Sequence, residues 1–214
     1  MSEALQLTAA GDLLLGSAVT AEALAATPAV QQRFAVLAEA AAQSRGSISE
    51  AVLTADARSH LLPALVVLGA WVRLAGPSGE REVPVEYLHA GPACAQPQPD
   101  ERVASVWVPA MPRCSGGAFV ASGAVGVAAV LVFAEDYSRL TQVRLSLTGQ
   151  IRGQSRARAA EAALEGHAFE PAYLEAAAQA VADDLAPELR LPLAAVQECL
   201  REAVTRAAER ARLR

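Results

Sequence analysis

Residues 44–63 read SRGSISEAVLTADARSHLLP and are the most informative segment of the chain. A short turn begins at Gly46, and further along Asp56 and Arg58 flank His60. These three residues are the one polar constellation in the sequence that we interpret as a candidate for a ligand-related role. The alternative is that they are solvated residues of a loop. A functional site, if the chain has one, is therefore expected around this turn.

The order of residues in this turn resembles a flavin-binding loop. In the FAD-binding subunit of the molybdenum hydroxylases, the carbon monoxide dehydrogenase and xanthine dehydrogenase family, a Gly-Thr-Ile-Gly-Gly-Asn turn presents bare backbone to the FAD pyrophosphate. The resemblance runs from Gly46 through Leu74 without a gap. It implies that the flavin-loop positions of this chain are Gly46, Ser47, Ile48, Ser49, Glu50, Asp56 and His60.

The chain departs from the family loop at the positions that approach the phosphate. Ser49 and Glu50 occupy the Gly-Gly positions, Ala51 replaces the Asn, and His60 stands where the family usually has Asp. Glycines permit positive φ and let backbone N–H groups approach phosphate oxygens, whereas Ser49 adds a Cβ and Glu50 a carboxylate. Two like unit charges ~4 Å apart repel by ~4 kcal/mol at an effective dielectric of ~20. We therefore expect the loop to be non-functional and FAD to be absent; alternatively, Glu50 turns into solvent and weak flavin binding survives.

The bulk composition bounds the class of protein. The 214 residues suffice for one sizeable domain or two small ones. Hydrophobic residues make up 53% and aromatic residues 4%, so the core is expected to consist of Leu, Val and Ala. All 18 basic residues are Arg, which indicates a GC-rich bacterial genome. The net charge of −5 is mixed along the chain without a basic patch, which argues against nucleic-acid binding.

The cysteines and the apolar runs argue against further classes. Cys94, Cys114 and Cys199 lie far apart without a CxxC or a histidine pair, so a zinc site or an iron–sulfur cluster held by this chain is not expected. The apolar runs near 61–72 and 117–134 are interrupted and fall short of the about 20 residues of a membrane span. The N-terminus lacks the positive region of a signal peptide. These features predict a cytoplasmic protein.

Residues 1–112 are expected to be a degenerate second lobe of an FAD-binding domain, as the resemblance implies. The pattern predicts, in order, a strand over 12–19, a short helix over 21–25 capped by Thr20, an amphipathic helix from Pro28 through Ala41, a helix over 61–68, a strand from Trp71, a tight turn at 76–79, a polar loop from Tyr87 and a strand over 102–108.

Residues 113–214 are expected to be a second domain, with the boundary at 111–117. The pattern predicts two long strands at about 119–134 and 138–149, joined by a hairpin around 135–138, and three helices at about 155–165, 171–185 and 192–212. Antiparallel strands followed by helices indicate an α+β fold. The likeness of this half to the carbon monoxide dehydrogenase flavoprotein C-terminal domain implies a three-stranded antiparallel sheet with three helices.

Two features of the family are missing. The family begins with a further lobe that holds the other side of the pyrophosphate, and this chain is expected to start where that lobe ends. The family also has a Lys and an Arg before a strand near the flavin, whereas residues 119–126 have neither. Loss of the lobe is expected to expose an apolar face around Leu13, Leu15, Val52 and Leu53, which a homodimer or another chain would cover.

No catalytic motif and no metal-ligating set is evident, so whether the chain is an enzyme stays open. His60, His89 and His167 are interpreted as surface or hydrogen-bonded histidines, and Asp183–Asp184 as a solvated pair. The resemblance implies an accessory or structural subunit of a molybdenum hydroxylase-type oxidoreductase without FAD, with molybdopterin and 2Fe–2S subunits as partners. Two alternatives remain: an electron-transferring FAD subunit whose missing lobe comes from another chain, and a stand-alone small-molecule binder.

Overall fold

Two antiparallel sheets, each with helices packed on it, make up the described part of the chain. The computed structural model describes residues 4–54, 59–89, 91–148, 156–185 and 191–213. None of the helices in these ranges combines the length and apolar character that a membrane-spanning helix requires.

The first sheet has five strands, in the order β1-β2-β5-β3-β4, and every neighbouring pair is antiparallel. The strands are β1 (Leu5–Leu7), β2 (Leu13–Gly16), β3 (Trp71–Gly76), β4 (Gly79–Pro84) and β5 (Arg102–Val108). Between β2 and β3 lie α1 (Ala21–Ala26), α2 (Pro28–Arg33), α3 (Ala35–Ala42), α4 (Ile48–Thr54) and α5 (Leu61–Val67). Short 3-10 helices at Val85–Tyr87 and Ala93–Ala95 precede β5.

The face of this sheet that meets the helices is buried. Leu13, Leu15 and Val52 are fully buried in the first hydrophobic cluster, and Leu53 is partly buried against it. The expectation of an exposed face at these residues is therefore wrong. Three consecutive leucines do not reveal which of them point inward, and the outward one is Leu14.

The predicted helix from Pro28 through Ala41 is two helices in the structure. The backbone of Phe34 leaves the helical region, with φ −129° and ψ 52°, so that α2 ends and α3 begins there. The ring of Phe34 nevertheless stays buried. Because the apolar spacing continues across the break, periodicity alone does not detect it. The predicted cap of α1 is confirmed, since Thr20 Oγ1 accepts a hydrogen bond from Ala23 N at 3.2 Å.

The second sheet has three strands in the order β6-β7-β8, with three helices after it. The elements are β6 (Ser115–Ser122), β7 (Val125–Phe133), β8 (Leu140–Leu147), α6 (Arg158–Leu164), α7 (Pro171–Asp184) and α8 (Leu193–Arg212). The α+β class and the three-stranded sheet with three helices are thus confirmed. The single strand predicted over 119–134 is wrong, because a turn at Gly123, with φ +60°, divides it into β6 and β7.

The second sheet is covered on both faces, which explains why β7 is apolar throughout. Ala128 and Val130 belong to the cluster formed with the first sheet, whereas Val127, Ala129 and Leu131 pack with α6, α7 and α8. A strand buried on both faces shows a continuous apolar run rather than alternation. Gly116 permits the close approach of α8, because a Cβ there would collide with the carbonyl oxygen of Ala207.

The two acidic residues at the end of α7 differ in their exposure to solvent. Asp183 is exposed, but the carboxylate of Asp184 accepts hydrogen bonds from Ala159 N at 2.9 Å and Ala160 N at 3.0 Å, at the start of α6. Burial raises the pKa of Asp184 above its ordinary value. The interpretation of both residues as solvated is therefore wrong for Asp184, whose partners lie too far along the chain for the sequence to reveal them.

Candidate functional site

Gly46 and Ser47, the first flavin-loop positions, form a turn that leads into α4 and is held against the end of β2 and the start of α1. Gly46 has a φ of +84°, a conformation that side chains other than glycine rarely adopt. Its carbonyl oxygen accepts from Ala21 N at 3.0 Å, and Ile48 N donates to Val19 O at 2.8 Å. The turn is therefore part of the framework of the first sheet rather than a free loop.

Ser47 and Glu50 form a reciprocal pair at the start of α4. Ser47 N donates to Glu50 Oε2 at 2.8 Å, and Glu50 N donates to Ser47 Oγ at 3.3 Å. This Ser-x-x-Glu arrangement is a capping box, in which each side chain satisfies a backbone N–H of the other residue. The Glu50 carboxylate also lies so close to Gly46 that a Cβ at Gly46 would collide with it.

The capping box fills the place where a helix start would receive an anion. N–H groups at a helix N-terminus attract phosphate because they lack partners within the helix. Here the negative charge that faces the turn is the carboxylate of Glu50. Ser49 is half-buried and Glu50 is exposed, and each adds a side chain at a position where the family loop has glycine.

His60 lies away from the turn and joins the two sheets. Its Nδ1 lies 2.9 Å from Thr148 Oγ1, and its ring centroid is 5.1 Å from that of Phe119. The imidazole is buried, and this burial lowers the pKa of His60. Asp56 and Arg58, which flank His60 in sequence, lie outside the described residues. Of the predicted polar cluster, the structure therefore describes only His60.

Two clefts flank the turn, and the exposed side chain of Arg45 lines both. The first, of about 790 Å³, is lined by four alanines of α1 and α3 together with Thr20, Glu22, Ser44 and Gly46. The second, of about 460 Å³, is lined by Glu50, Thr54 and Ser59 among others. Both carry a guanidinium beside a carboxylate, so an anionic ligand in either would meet attraction and repulsion together.

Sequence patterns missed two glutamates that connect the first sheet's helices to the second sheet. Glu39 of α3 accepts from Phe119 N at 2.9 Å and pairs with Arg206 and Arg210 of α8. In the sequence, Glu39 could have been noticed as the single charged residue of an alanine-rich helix, and the structure shows that most of the other residues of this helix are buried.

The second such residue, Glu86, belongs to an ionic cluster beside β8. It contacts Arg144, Arg156 and Arg158, and Arg156 in turn pairs with Glu161 at 2.8 Å. Burial lowers the pKa of Arg144 and raises that of Glu161. These groups are occupied with one another and act as structural connections. Among the residues in view, no group of three His, Cys, Asp or Glu side chains is placed to hold a metal ion.

The fold and the turn together define a chain of the flavoprotein-subunit type. Residues 4–111 match the family described as FAD binding domain in molybdopterin dehydrogenase, and residues 119–210 match the CO dehydrogenase flavoprotein C-terminal domain. The chain therefore belongs to the family of flavin-binding subunits of molybdopterin dehydrogenases, as its resemblance implied.

Similar proteins of known sequence and structure agree with this membership. The chain is 27% identical over 150 residues to the alpha subunit of the 6-hydroxypseudooxynicotine dehydrogenase complex of Paenarthrobacter nicotinovorans, with 64% of this chain and 51% of that one covered. It therefore spans about half the length of that curated relative.

Among solved structures, carbon monoxide dehydrogenase from Hydrogenophaga pseudoflava matches with a TM-score of 0.85 and 25% identity, over 97% of this chain and 78% of that chain. Quinoline 2-oxidoreductase from Pseudomonas putida 86 has the same fold, with a TM-score of 0.80 at 20% identity and the same shares of the two chains.

Proposed function

We propose that this chain is an accessory or structural subunit of a molybdenum hydroxylase-type oxidoreductase, without FAD of its own. The observation that carries the proposal is the capping box between Ser47 and Glu50. Family membership supplies the class of complex, and the site supplies the argument against the cofactor, because function follows from the site rather than from the fold.

The residues at the flavin-loop positions do not fit a pyrophosphate. A phosphate at this turn needs backbone N–H groups without partners, and Ser47 N already donates to Glu50. A pyrophosphate oxygen ~4 Å from the carboxylate would be repelled by ~4 kcal/mol at an effective dielectric of ~20. Turning Glu50 away to admit the ligand would forfeit the cap, which typically stabilises by about 1 kcal/mol. Both costs oppose binding.

The two sheets with their helices serve as a scaffold under this proposal. We assign residues 1–112 to a degenerate second lobe of the FAD-binding domain and residues 113–214 to the flavoprotein C-terminal-like domain. The partners in the proposed complex are a molybdopterin subunit and a 2Fe–2S subunit, and the complex is cytoplasmic. The chain contributes surfaces for these subunits, and electrons leave the complex through another carrier.

Flavin binding by the purified chain tests the proposal. Titration with FAD, followed by flavin fluorescence and by calorimetry, is expected to show no saturable binding in the micromolar range. A visible flavin spectrum that persists through gel filtration at near one equivalent would overturn the proposal. In the Ser49→Gly/Glu50→Gly double variant, which removes the Glu50 carboxylate from the turn, we expect at most weak binding, because each cleft beside the turn offers a single arginine to an anion.

A second candidate function is supported by the two clefts on either side of Arg45. A small anionic molecule bound there, with or without a flavin supplied jointly with another chain, would make the chain a ligand-binding subunit. The Arg45→Ala variant discriminates between the two functions. If a small anion raises the melting temperature of the wild-type chain but not that of the variant, the binding function is favoured. If the variant instead associates with the partner subunits as strongly as the wild-type chain does, the scaffold function is favoured.

A further inference from the structure

Both tryptophans of the chain lie side by side on the solvent face of the first sheet. Trp71 and Trp107 are directly opposite each other in the ladder between β3 and β5, and each is 39% exposed. Tryptophan is enriched at protein interfaces and among the residues that contribute most to binding there. Between them runs a shallow crease of about 130 Å³, with Leu14 at one end.

The tryptophans are the middle of an apolar row that crosses four strands. Leu14 of β2 is opposite Trp107, Trp107 is opposite Trp71, and Trp71 is opposite Pro84 of β4. Its four apolar members run aliphatic–Trp–Trp–aliphatic, the same order in either direction, and the exposed Gln6 of β1, opposite Leu14, lies outside them. A surface of this kind is suited to contact its own copy.

We propose that the outer face of the first sheet is a self-association surface, on which two copies of the chain pack face to face about a two-fold axis. The axis runs along the strands between β3 and β5. A half-turn about it places Trp71 of one protomer over Trp107 of its partner, and Leu14 over Pro84. Sheets that pack face to face with nearly aligned strands are a common arrangement, and each aromatic ring then covers another. The inference goes beyond the proposed function and does not depend on flavin binding.

The charged residues beside the row are compatible with this arrangement. Arg73 and Glu82 pair at 2.8 Å within one protomer. They lie two residues along β3 and β4 from Trp71 and Pro84, respectively. The half-turn places Arg73 over Ser105 of the partner, and Glu82 over Gly16, according to the strand register. No charge meets its own kind, and the hydroxyl of Ser105 is available to a guanidinium. An axis along the row instead would set every residue of the row over its own copy.

The two tryptophans provide a direct measurement, because no other residue of the chain contributes to tryptophan emission. The full chain is examined by sedimentation velocity and by fluorescence over the same concentration series. We expect a monomer–dimer equilibrium, with an emission maximum that moves to shorter wavelength as the dimer forms. The two curves should share one midpoint, since burial of the tryptophans and association are the same event.

A substitution on the row, matched to one elsewhere, locates the interface. Leu14→Glu introduces a carboxylate that faces Pro84 of the partner, and by symmetry it does so twice. We expect the dimer dissociation constant to rise by about a hundredfold, since unpaired charges are costly to bury. Leu193→Glu is the control, because Leu193 at the start of α8 is 39% exposed against 37% for Leu14. It should leave the dissociation constant unchanged, and circular dichroism verifies that both variants are folded.

Several outcomes would overturn the inference. A chain that is monomeric at every concentration removes it, and a partner subunit that buries the tryptophans instead assigns the face to a different chain. A dimer that Leu14→Glu does not weaken, or whose formation leaves the emission maximum unchanged, lies on another surface.

Discussion

The carboxylate of Glu39 lies 2.6 Å from the guanidinium of Arg210, although the two residues are far apart in sequence. The same carboxylate accepts from Phe119 N at 2.9 Å, and Arg210 also donates to Gly117 O at 2.8 Å. One acidic side chain of α3 thus connects α8 with β6. Loss of this carboxylate would leave Phe119 N without the acceptor that Glu39 supplies and would remove the ionic partner that Arg206 and Arg210 share.

Replacing Glu39 should destabilise the protein more than replacing an exposed glutamate that also pairs with an arginine of α8. We expect Glu39→Ala to lower the free energy of unfolding by about 2 kcal/mol, below the full cost of breaking a buried ion pair because the site is partly exposed. Chemical denaturation measures the difference. Glu175→Ala removes an exposed pair with Arg201 and serves as the control; it should leave the unfolding midpoint unchanged within error. An equal effect of the two substitutions would contradict the connecting role of Glu39.

The capping box at the flavin-loop positions should contribute measurably to stability. Ser47→Ala removes the oxygen that accepts from Glu50 N, and we expect a loss of about 1 kcal/mol in the free energy of unfolding. A double-mutant cycle with Glu50→Ala isolates the reciprocal pair and should give a coupling of at least about 0.5 kcal/mol. Additive effects in that cycle would mean that Ser47 and Glu50 act independently, and the proposed obstruction of the phosphate position would lose its support.

The elements that the sequence predicts well are those determined by neighbouring residues. The strand over residues 102–108 is rich in Val and Trp, residues typical of strands, and its observed bounds agree with the prediction. Thr20 was placed as a cap because its side chain serves a residue only three positions away. The resemblance identified the family because the order of its segments extends over nearly the whole chain.

The elements that were missed depend on distant contacts. The turn at Gly123 that divides residues 119–134 into β6 and β7 was missed because both strands are largely buried, so the sequence shows one long apolar run. The orientation of Leu14 outward was hidden by its leucine neighbours, so the exposed apolar face was assigned to the wrong residues. The reciprocal bond between Ser47 and Glu50 was present as a spacing, but a comparison with the glycine loop alone does not show where the carboxylate points.

His60 should make stability depend on pH in the mildly acidic range. Burial lowers the pKa of His60 in the folded protein below the ordinary value of 6.5 for histidine. As the pH falls, the unfolded chain therefore takes up the proton at a higher pH than the folded protein does. The stability that His60 contributes is present above this ordinary value and is lost as the pH falls through the folded pKa. Glu161 and Asp184, whose pKa is raised by burial, act in the opposite direction.

A variant that cannot titrate isolates this contribution. We expect the unfolding midpoint of the wild-type chain to fall between about pH 7.5 and about pH 5 by more than that of His60→Asn, whose amide lies near the position of Nδ1 beside Thr148. Denaturation curves at a series of pH values make the comparison. If the two proteins lose stability in parallel, His60 is not the titrating group.

Arg81 should control the susceptibility of the proline-rich loop at 91–101 to proteolysis. Its guanidinium donates to Cys94 O at 2.5 Å and Gln96 O at 2.7 Å, and it pairs with Glu101 at 2.6 Å. Hydrogen bonding from Arg81 lowers the pKa of Glu101 to about 2, so the pair is charged at any pH near neutrality. We predict that limited proteolysis of the wild-type chain cuts first within 91–101, the polar loop, or near 113–117, where the first sheet's half of the chain passes to the second sheet. In Arg81→Ala, cleavage within 91–101 should become about tenfold faster, because local opening then breaks fewer hydrogen bonds.

Arg73→Ala, which removes an arginine from the neighbouring strand, is the control and should leave that rate unchanged. Mass spectrometry of the first fragments identifies the sites, and resistance at both places with rapid cutting within 123–149 would contradict the assignment of the second sheet as a protected unit.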